Sequence, residues 1–130
     1  MAIYAGQIIR AIDLSPSEWQ PLPLEGNWRN YGNGWSDAQF RSRPLTDTVE
    51  VKGTIQWTPE SPSNEQLMFV LPTGYRPVSN VAVATGHVST PVENPVEVRF
   101  YNDGRVTVID AEKLTKHVVT IDGVEIYVGE

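Results

Sequence analysis

Val49-Glu50-Val51-Lys52-Gly53-Thr54-Ile55-Gln56-Trp57 is the stretch that decides the fold. Val49, Val51, Ile55 and Trp57 fall on one side of it, with Gly53 among them. Glu50, Lys52, Thr54 and Gln56 fall on the other. Alternation sustained this long predicts a strand with one buried and one wet face. Gly53 leaves a gap in the buried face, the mark of a bend or a close approach.

The flanking segments repeat the theme. After the Pro-rich loop 58–65, Gln66 to Leu71 reads as a short apolar strand stopped by Pro72. Leu71-Pro72-Thr73-Gly74-Tyr75-Arg76-Pro77 is turn chemistry around one aromatic, with Arg76 placed to bond carbonyls of the turn. Val81 to Val88 is a further strand, and Pro91 and Pro95 bracket the next crossing. Near the C-terminus, a three-residue loop Asn102-Asp103-Gly104 sets Phe100 opposite Val106 and Val98 opposite Val108, with Gly104 left-handed in a bulge. At Asp122-Gly123 a tight primed turn sets Ile121 against Val124 and Val119 against Ile126. That last strand is expected to be integral.

These segments predict an all-β chain: an antiparallel β-sandwich, jelly-roll-like, of roughly eight strands over residues 24–130. The expected core is Val49, Val51, Ile55, Trp57, Val98, Phe100, Val106, Val108, Val119, Ile121 and Ile126. Ten Gly and ten Pro in 130 residues suit short segments joined by turns. Residues 1–23 differ. Ser15-Pro16-Ser17-Glu18 looks like a capping box, and Pro21 and Pro23 keep it short. The segment is therefore expected to be an arm ending in one helical turn, which packs on the domain or docks onto a larger body.

Composition narrows the function. A net charge of −6 disfavours nucleic acid as the partner. Without cysteine there is no disulfide, thiol nucleophile or Cys-type zinc site. No apolar run approaches the ~20 residues of a membrane span, and the start lacks the features of a secretion signal. His87 and His117 stand thirty residues apart with no ligand spacing around either, so no metal is expected. Neither a nucleophile elbow nor a phosphate loop nor a dinucleotide fingerprint occurs, so neither enzymatic activity nor a cofactor is expected.

The aromatics carry the remaining information. Trp19, Trp28, Tyr31 and Trp35 crowd together among Gly, Asn and Pro. Such a cluster can form a stacking platform for sugars or plug the end of a sandwich, and the nearby Gly favours the plug for Trp28 and Trp35. Trp28, Tyr31, Trp35 and Tyr75 are the candidate ligand contacts. Tyr101, Ile109, Val118 and Tyr127 point away from the expected core and would form a patch for a second copy.

Trp19-Gln20-Pro21-Leu22, Leu24-Glu25-Gly26-Asn27-Trp28, Tyr31-Gly32, Trp35, Arg41 and Val49-x-Val51-x-Gly53 run in the order found in one group of proteins. Leu71-Pro72-x-Gly74-Tyr75-Arg76-Pro77, Gly104-Arg105-Val106 and Ile121-Asp122-Gly123-Val124 complete the series. From Trp19 onward the chain resembles the distal β-domains of bacteriophage tail-fibre, minor tail and receptor-binding proteins. The resemblance implies a compact β-sandwich, usually a homotrimer, displayed on a virion and often in contact with the host envelope; the leading expectation is a tail-associated attachment module that binds host cell-wall saccharide. The chain has almost no shaft, which keeps open a structural capsid-decoration or head-fibre protein that binds no ligand. In either case the N-terminal arm would meet other virion proteins.

Overall fold

The computed structural model describes residues 16–85 and 96–128. Eleven strands lie within them. In chain order these are β1 Gln20–Pro21, β2 Trp28–Asn30, β3 Gln39–Arg43, β4 Thr48–Lys52, β5 Thr54–Trp57 and β6 Glu65–Val70. They continue as β7 Val81–Thr85, β8 Val96–Phe100, β9 Arg105–Ile109, β10 Val118–Thr120 and β11 Val124–Tyr127. All pairing is antiparallel, in sheets ordered β1-β3-β4-β11, β10-β5-β2 and β6-β9-β8-β7. The chain is thus an all-β sandwich, as its sequence implies.

One of the strands beyond eight is β1, within the expected arm, and another arises because one long run bends. Val49–Trp57 divides at Gly53 into β4 and β5, which belong to different sheets. Strands β11 and β10 flank the two halves on one side, β3 and β2 on the other. The first two sheets are therefore one layer folded through a corner, and the sheet β6-β9-β8-β7 covers its inner face. Gly53 stands at the corner with φ +131°, and a Cβ there would lie 2.5 Å from the Cα of Ala38. The close approach that the glycine suggested is a contact between two backbones.

The core follows the alternation. Val49, Val51, Ile55, Val98, Phe100, Val106, Val108, Val119, Ile121 and Ile126 are buried. Trp57 is only partly buried and packs against this cluster, edge-on to Trp28. Thr54, expected outside, is buried as well. Beyond the corner its N–H donates to Ser36 O and its carbonyl accepts from Tyr31 N–H, so the 31–38 loop covers the face that would otherwise be wet.

The two Asp-Gly turns part company. At the first, Val98 pairs Val108 and Phe100 pairs Val106, with Gly104 at φ +97°, as the register argument requires. At the second there is no hairpin: β10 pairs β5 while β11 pairs β4. Gly123 is left-handed but Asp122 is not, and Val124 N–H bonds Ile121 O at 3.3 Å. That is a type II pattern, and unprimed turns splay the strands they join. The splay lets the chain round the corner beside Gly53, whose N–H donates to Asp122 Oδ1 at 2.7 Å.

Pro16 to Trp19 form no helical turn. Ser17 N–H bonds Ser42 O, Gln20 and Pro21 pair with β3, and Leu22 is buried with its N–H on Ala38 O. Prolines that cannot continue a helix are tolerated on an edge strand. Residues 16–23 are thus part of the domain rather than an arm. The remainder of the expected arm, residues 1–15, lies outside the described residues.

The turn 71–77 is a latch. Arg76 Nε donates to Leu71 O at 2.8 Å, Leu71 N–H donates to Gly104 O, and the Tyr75 ring meets Phe40 edge-on at 5.0 Å. A Cβ on Gly104 would lie 2.5 Å from Arg76 Nε, so this segment and the β8–β9 turn require each other.

Candidate functional site

Strand β2 ends at Asn30, whose Oδ1 accepts the Ala38 N–H at 2.8 Å. Between them the chain makes a loop pinned by Tyr31 N–H to Thr54 O and by Thr54 N–H to Ser36 O. Inside it, Gly32, Asn33 and Gly34 are all left-handed, at φ +73°, +55° and +89°. Gly and Asn adopt that region at the least cost, so these residues permit the reversal. Trp35 N–H closes the turn onto Gly32 O at 2.9 Å, and Asn33 Nδ2 donates to Tyr31 O at 3.2 Å.

The loop presents Trp35, 44% exposed, with Tyr31 half-buried at its base. Asn33, Ser36 and Asp37 are exposed along the same seven residues. An exposed aromatic on a loop whose backbone is tied, with amide, hydroxyl and carboxylate residues along the same loop, can stack on the C–H face of a sugar and bond its hydroxyls. The order in the backbone means that little of it must be frozen on binding.

The other two candidate ligand contacts are engaged elsewhere. Trp28 is 5% exposed, and its Nε1–H donates to Leu67 O at 2.8 Å. It is a core residue whose ring is covered and whose indole N–H is taken. Tyr75 is half-buried against Phe40, and its hydroxyl accepts from Gln20 Nε2. Trp19, between the guanidinium of Arg41 and the ammonium of Lys52, each 4.3 Å from its ring, is likewise occupied.

The four residues expected to form a patch for a second copy are dispersed. Val118 is fully buried on β10. Tyr127 is 52% exposed on β11, in another sheet. Ile109 and Tyr101 are partly buried, on β9 and just after β8. The bend at Gly53 and the splayed second turn separate positions that a flat hairpin would have aligned.

The outer face of the β6-β9-β8-β7 sheet carries a network that sequence reasoning missed. Tyr101 OH and Thr107 Oγ1 both donate to Glu65 Oε2, at 2.6 and 2.8 Å. These bonds hold the Glu65 carboxyl below its usual range. Arg99 donates to Glu97 at 2.6 Å, which raises its already high pKa. Arg105 lies 4.6 Å over the Tyr101 ring, and its N–H lowers the Asp103 carboxyl. The first turn's register already set Arg99 opposite Thr107; nothing local pointed to Glu65. The network's donors and acceptors satisfy one another, which suits a brace across strands better than a ligand site.

Among the described residues no cluster of three or more His, Cys, Asp or Glu could hold a metal, and no helix is long and apolar enough to cross a membrane. His87 lies outside them.

No family sequence model matches the chain, and no curated protein matches it. Among solved structures, the chain is similar to the receptor binding protein (gp15) of Listeria phage PSA. The TM-score is 0.70 at 16% identity, over 92% of this chain and 70% of that one. The likeness is one of fold, and it is the fold that the residue motifs implied.

Proposed function

We propose that the protein is a virion attachment module of a phage, which binds host cell-surface saccharide through the Tyr31–Asp37 loop. The single observation that carries this reading is Trp35, a large exposed aromatic on a loop whose backbone is tied down at both ends. The fold shared with a phage receptor binding protein supports the attachment role. The module acts by binding, without catalysis, cofactor or metal. It assembles as a homotrimer, a state that suits weak single sites engaging a repetitive surface, since joined sites gain avidity without new contacts. Residues 1–15 serve to dock it on other virion proteins.

The test uses purified protein and its Trp35→Ala variant on a glycan array and in pull-down with host cells, with light scattering alongside. Saccharide binding that the variant loses while keeping its melting temperature is the expected result. Binding unaffected by the substitution would refute the loop assignment. Absence of any saccharide or cell binding would favour the capsid-decoration alternative. A mass near the 14.5 kDa monomer would refute the trimer.

A further inference from the structure

The geometry points to Asn33 as a site of spontaneous modification, where the side-chain amide is lost to the backbone nitrogen of Gly34. Asn33 is the sole asparagine in the sequence that precedes glycine. Both residues are exposed, and nothing lies within 4 Å of where a Cβ on Gly34 would stand. The backbone bonds that fix the loop run through Tyr31, Ser36, Trp35 and Ala38. The Gly34 N–H is not one of those ties. The Gly34 peptide plane can therefore swing toward the Asn33 side chain, and Gly34 has no Cβ to crowd its nitrogen.

The chemistry balances with water as the sole co-reactant. The Gly34 nitrogen gives up its proton to solvent and attacks Asn33 Cγ. A C–N bond forms, the bond from Cγ to Nδ2 breaks, and the amide leaves as ammonia. The resulting five-membered imide then takes up one water at either carbonyl, leaving aspartate or isoaspartate at position 33. Both products replace a donor to Tyr31 O by a carboxylate that cannot donate to it. The isoaspartate also adds a methylene to the backbone between Tyr31 and Trp35. The binding consequence, a loop that loses its grip with age, rests on the attachment reading above; the chemistry does not.

The full-length protein is incubated, folded, at mildly alkaline pH and sampled for peptide mapping by mass spectrometry. Fragment ions are expected to place an amide-to-acid mass gain at position 33 before Asn27, Asn30, Asn64, Asn80 or Asn102 changes, with the product peptide split into two chromatographic species. An Asn33→Gly variant, which keeps the left-handed backbone, should show no gain in this peptide beyond slow change at Asn30. Conversion at Asn33 no faster than at the other asparagines, or only after unfolding in urea, would overturn the proposal. This readout does not depend on any ligand, so a failure to bind saccharide leaves it intact.

Discussion

Replacing Gly53 by alanine tests the corner on which the fold turns. The added Cβ would stand 2.5 Å from Ala38 Cα, 2.8 Å from Ala38 N and 2.9 Å from Asp37 O. All three are backbone atoms, so no side chain can swing aside. At φ +131° an L-residue is also strained by ~1–3 kcal/mol. Forcing the two backbones apart adds a similar ~1–3 kcal/mol. The displacement also loosens the bonds from Gly53 N–H to Asp122 and from Ile121 N–H to Gly53 O, at 2.7 and 2.8 Å. The expected total is about 3–6 kcal/mol, against a typical whole-domain stability of ~5–15 kcal/mol. At roughly 3–5 °C per kcal/mol, Tm should fall by about 10 °C or more. Gly123→Ala is the control: it too is left-handed, at φ +79°, but nothing lies within 4 Å of its Cβ position. It should cost only the conformational ~1–2 kcal/mol. Thermal melts followed by circular dichroism compare the two. If both variants melt within a few degrees of each other, the close approach at Gly53 is refuted.

Phe100→Ala removes a fully buried ring from the core and should cost ~3–5 kcal/mol by urea denaturation. Thr54→Val should leave stability unchanged or raise it by about 1–2 kcal/mol, because the Thr54 hydroxyl is buried with no partner among the described residues. Tyr101→Phe removes the largest cause of the lowered Glu65 pKa. A depressed carboxyl pKa stabilises the fold above its unfolded value and ceases to do so as pH falls through the folded one. The wild type should therefore melt above the variant near neutrality, with the gap narrowing on acidification below the ordinary carboxylate range; a gap independent of pH would contradict the assigned cause.

Much of the architecture was legible because alternation reports burial directly. Val49, Val51 and Ile55 gave one inner face, and register at Asn102-Asp103-Gly104 gave another. Trp57 is only partly inside, since period two gives the side of a residue but not its distance from the core's edge. Thr54 departs from the alternation for a different reason. What covers it is the 31–38 loop, which is near in space and remote in sequence. The candidate site shows the same limit. Trp28 and Trp35 look alike in sequence, both among Gly and Asn, yet one is 5% and the other 44% exposed. What covers Trp28 is remote in sequence: Trp57 packs on its ring, and Leu67, thirty-nine residues on, takes its indole N–H on the carbonyl.

The second Asp-Gly turn shows why local chemistry underdetermines topology. Asp-Gly fits a primed hairpin turn, with both central residues left-handed, and also a type II turn, with Gly alone left-handed. A hairpin would bury Ile121 opposite Val124 and Val119 opposite Ile126, an apolar match that favours it in the sequence. The splayed turn buries Val119, Ile121 and Ile126 equally well, against β5 and β4 instead. Burial therefore cannot separate the two; the bend at Gly53 does. Once β4 and β5 diverge, any strand pair alongside them must diverge at the same level. A tight hairpin at 121–124 would leave one of the two without a neighbour on that side. The Asp122 carboxylate on the Gly53 N–H, together with the Ile121 N–H on the Gly53 carbonyl, holds the two breaks in step. The separation of Val118 from Tyr127, which a hairpin would have paired, follows from that coupling.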